Sequence, residues 1–146
     1  MKKNTKIKKE LESIEIGKWI TKLYELGFKD ISFPILIVYD EWDGIHLQIV
    51  SNIAEFALTN SIHHYPLDYD TKLVDSNGKF FTWKYDDINR TNLPGPLIRT
   101  LNLEEVRILL SEGIIDHKLE NEIKLKMSNA NTIDELLKDL FNYEFY

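Results

Sequence analysis

The sequence predicts an α+β domain: an antiparallel sheet of about four strands from two β-hairpins, with an N-terminal helix and C-terminal helices packed on it. Three observations lead there. Apolar residues recur at helical spacing near the N-terminus and again beyond residue 102. Two segments rich in β-branched and aromatic residues lie between them. Each of those segments is broken by a Gly-containing turn sequence, Asp43-Gly44 and Asn77-Gly78.

The elements follow in order. Residues 1–12 hold five Lys against two Glu and read as a Lys-rich lead-in to a single domain over 13–146. Ser13 is placed to cap a helix over about 14–26, whose apolar face is Ile16, Trp19, Ile20, Leu23 and Leu26. Gly27 stands where a left-handed C-terminal cap belongs. Pro34 stops any continuing helix, and Ile35 to Tyr39 lacks polar alternation, which predicts a strand buried on both faces. Asp40-Glu41-Trp42-Asp43-Gly44 reads as the hairpin loop, with Gly44 free to take a positive φ. Ile45, Leu47 and Ile49 alternate with His46 and Gln48 in the returning strand.

Ser51-Asn52 is positioned to cap a short helix over Ile53 to Leu58, and Asn60 to Asp70 reads as irregular. Leu73-Val74, the turn Asp75-Ser76-Asn77-Gly78 and Lys79 to Tyr85 form the second hairpin. Residues 86–96 read as a loop because they contain two Asp, two Asn and Pro94-Gly95-Pro96. Three helices complete the chain. Asn102 caps one through Val106 and Leu110, ending at Gly113; a second runs through Leu119, Ile123 and Met127. Thr132-Ile133-Asp134-Glu135 matches a capping box before the third. The aromatic tail Tyr143 to Tyr146 is expected to pack in part on the body.

With 146 residues, the chain is long enough to build a core without disulfides or metal. It has no cysteine, which excludes Cys-based metal sites and thiol catalysis. Lys interrupts the N-terminal region before any signal-peptide core, and no stretch reaches the length of a membrane helix, so a cytoplasmic location is expected. The abundance of Lys, Asn and Ile points to an AT-rich, bacterial genome. The net charge is −6, distributed as +3 over residues 1–12, +1 over 13–29, −6 over 30–90 and −4 over 91–146. Such a surface disfavours nucleic acid and anionic membrane and attracts basic proteins.

Motifs for chemistry are missing. The acids at 40, 41 and 43 do not fill a calcium-loop frame, and neither does Asp75 to Gly78. His63-His64 lies near Asp68 and Asp70, but no His-x-x-x-His spacing occurs, and neighbouring strand residues point to opposite faces. Nucleophile elbows, Walker loops and Gly-x-Gly-x-x-Gly are absent, and no cofactor, metal or catalytic residue is assigned.

Aromatic residues set among carboxylates remain. Trp42 lies between Asp40, Glu41 and Asp43; Tyr69 lies between Asp68 and Asp70. Rings supply buried anchor area at a protein interface, and acids steer a basic partner. These seven residues are the expected partner-binding set. In size and charge the chain resembles small acidic bacterial immunity proteins, which bind and neutralise a toxin domain. No motif carries that resemblance, so no residue role is transferred from it. The expectation is a non-enzymatic interaction module, monomeric or homodimeric. Two alternatives compete with it: a metal-assisted hydrolase using His46, His63 or His64 with Asp68, and a structural or regulatory module of a larger assembly.

Overall fold

Five strands pair antiparallel at every step, in the spatial order β2 (Gly44–Val50), β1 (Ile35–Glu41), β3 (Lys72–Val74), β4 (Lys79–Asp86) and β5 (Thr91–Thr100). The computed structural model describes residues 17–41, 44–53, 55–56, 71–88, 91–113 and 118–143. Helix α1 covers 17–23 and runs on as a π-helical turn, Tyr24–Phe28. The C-terminal helices are α2 (Leu103–Ser111), α3 (Glu120–Asn129) and α4 (Ile133–Leu140). The α+β class is therefore as the sequence predicts.

Helices cover both faces of the sheet. On one face Leu36, Val38, Leu47, Ile49 and Val74 pack with Val106, Leu110, Ile123 and Leu136 of the C-terminal helices. On the other, Ile35, Ile37, Val50 and Leu73 pack with Leu23 and Phe28 of α1 and with Phe56. Alternate residues of β1 thus enter opposite cores, as its unbroken apolar run requires. Phe56 stacks on Trp83 with ring centroids 5.3 Å apart and an interplanar angle of 8°, and meets Phe28 at 4.7 Å.

The sheet has a fifth strand where the sequence reads as a loop. Residues 91–96 belong to β5, which pairs with β4 from Asp86↔Thr91 to Lys79↔Thr100 through two register shifts. Proline cannot donate to a ladder, but β5 is an edge strand, and Pro94 and Pro96 are tolerated there. The first hairpin loop is also tighter than expected. Asp40 and Glu41 belong to β1, Glu41 pairs with Gly44, and Trp42-Asp43 alone lie between the strands. Gly44 does take a positive φ, 133°.

Gly27 is not a left-handed cap, because the helical path continues through it. A Cβ there would lie 3.1 Å from Pro94 Cδ, so the missing side chain is what lets α1 lie close against β5.

Helix ends follow the sequence signals closely. Asn102 and Glu105 form a reciprocal capping box at α2. At α4, Thr132 Oγ1 accepts the N–H of Glu135 at 3.1 Å, while Glu135 Oε2 accepts that of Asn131, one residue further back than a capping box requires. Asn52 Oδ1 accepts the N–H of Glu55 at 2.8 Å and caps the turn after β2. Arg107 donates to the carbonyls of Met127 (2.9 Å) and Ala130 (2.6 Å), satisfying acceptors that the end of α3 leaves open. Tyr143 packs beside the first core and donates to Glu122 Oε1 at 2.7 Å.

Candidate protein-binding end of the sheet

Strand direction sorts the acids. Because every pairing is antiparallel, β1 and β4 finish at one end of the sheet, and β2, β3 and β5 begin there. Asp40 and Glu41 close β1 at this end; Asp86 closes β4 and Asp87 follows it in the turn. The chain also enters β3 here, two residues after Asp70. Segments far apart in sequence, each bearing acids, therefore converge. Lys72 and Lys84 stand in the same strand ends.

β1 pairs with β3 from Leu36↔Val74 to Val38↔Lys72 and with β2 from Ile35↔Val50 to Glu41↔Gly44. Tyr39 donates its hydroxyl to Gln48 Oε1 at 3.0 Å on the adjacent strand. Asp86 Oδ1 accepts the N–H of Ile88 at 3.0 Å and closes the β4–β5 turn.

Of the seven residues expected to bind a partner, Asp40 and Glu41 are placed by their backbone at the end of β1. Trp42, Asp43, Asp68, Tyr69 and Asp70 lie outside the described residues, as do His63, His64 and His117. His46 sits on β2 opposite Tyr39. Among the described residues, no group of three or more His, Cys, Asp or Glu is arranged to hold a metal ion, and no helix is long and apolar enough to cross a membrane.

At the opposite end of the sheet, the β3–β4 turn, which the sequence marks as a hairpin turn, carries a polar cluster that its residues alone do not reveal. Asp75 is fully buried, and its carboxylate accepts the N–H groups of Asn77 (2.9 Å), Lys79 (3.0 Å) and Ser32 (3.3 Å). Ser76 Oγ donates to the carbonyl of Pro34 at 2.6 Å, and Asn77 Nδ2 donates to Ser32 Oγ at 2.8 Å. The Asp two residues before Asn-Gly was the available signal, because such side chains accept from backbone N–H groups of their own turn. A buried carboxylate with three donors is a structural anchor, satisfied within the fold.

A second charged contact joins β5 to α2. Arg99 pairs with Glu105, which also accepts the N–H of Asn102. The hydrogen bond from Arg99, followed by that from the Asn102 backbone, holds the Glu105 carboxyl below its ordinary range; the same pairing raises Arg99.

No protein-family model, curated protein or solved structure matched the chain in comparisons with known proteins.

Proposed function

We propose that the protein is an interaction module whose acidic sheet end binds a basic protein, in the manner of a small bacterial immunity protein that neutralises a toxin domain in the cytoplasm. The observation that carries this reading is the convergence of Asp40, Glu41, Asp86 and Asp87 at one end of the sheet, beside the entry to β3 that follows Asp68 and Asp70. Trp42 and Tyr69 are the proposed anchors. Asp40, Glu41, Asp43, Asp68 and Asp70 supply steering charge, which raises association rates most at low salt.

The test is co-expression with the product of the adjacent reading frame, followed by co-purification at increasing salt. The reading expects a basic partner that co-elutes at low salt, binds more weakly as salt rises, and is weakened further by Asp43→Lys. Binding that survives reversal of all five acids overturns this surface.

A further inference from the structure

We draw no further inference here: the strongest candidate, the two buried and unpartnered polar atoms Thr71 Oγ1 at the entry to β3 and Trp83 Nε1 on β4 beside Phe56, carries nothing because nothing in the structure shows what either atom would bind.

Discussion

The carboxylate of Asp75 accepts the backbone N–H of Ser32, 43 positions earlier in the chain, at 3.3 Å. That bond, with the Ser76 N–H to Ser32 carbonyl bond at 2.9 Å, fixes the second hairpin turn to the segment entering β1. Asp75→Ala leaves three backbone donors without this acceptor. Losing buried hydrogen bonds to a charged group costs about 2–4 kcal/mol, and urea unfolding should show a matching loss, with Asp75→Asn falling between the variant and wild type.

Gly78 sits in the same turn at φ 84°, and a Cβ there would collide with the carbonyl oxygen of Leu101. Gly78 also accepts the N–H of Leu101 at 2.7 Å, which ties the turn to the end of β5. Gly78→Ala is expected to destabilise by at least about 1–2 kcal/mol from the left-handed backbone alone. A thermal melt compared with Gly17→Ala, at a site with open space around its Cα, isolates the effect.

Arg107 joins α2 to the last carbonyls of α3 and also contacts Glu104 at 3.3 Å. Arg107→Met keeps much of the apolar stem and removes the donors. A loss of about 1.5–3 kcal/mol is expected. Removing only the Glu104 partner should cost far less, since that pair is a solvent-facing contact on one helix. Urea unfolding of Arg107→Met and Glu104→Gln separates the two contributions.

Glu105 gives the chain a pH-dependent contribution of known sign. Its folded pKa lies below its unfolded value, so the contribution is fully present above the unfolded value and is lost as pH falls through the folded one. Wild type should therefore exceed Glu105→Gln in stability at neutral pH. The difference should shrink as solutions are acidified below the ordinary Glu range and vanish once Glu105 is protonated. A difference unchanged between pH 7 and strongly acidic solution contradicts the assignment.

Much of the fold was legible because its signals are local. Asn102, Glu105 and Thr132 mark helix starts through short-range side-chain-to-backbone bonds, and Asn77-Gly78 marks a turn through its own backbone preference. β1 declared its burial on both faces by lacking polar alternation. β5 was not legible, since Pro94-Gly95-Pro96 carries loop chemistry and becomes strand only because β4 offers a partner on one side. The role of Gly27 was misread for a similar reason: it answers to Pro94, 67 positions away, and not to its own helix.

For the candidate site, the sequence by itself determined an excess of acid after residue 30, aromatic residues among those acids, and the lack of catalytic motifs. Only the tertiary structure decided that Asp40, Glu41, Asp86 and Asp87 share one end of the sheet, and that β5 is the last strand in its order. Which acids become neighbours depends on the directions of strands paired across tens of residues. Charge and turn chemistry are properties of a few adjacent residues and can be read locally; strand order is a property of the whole sheet.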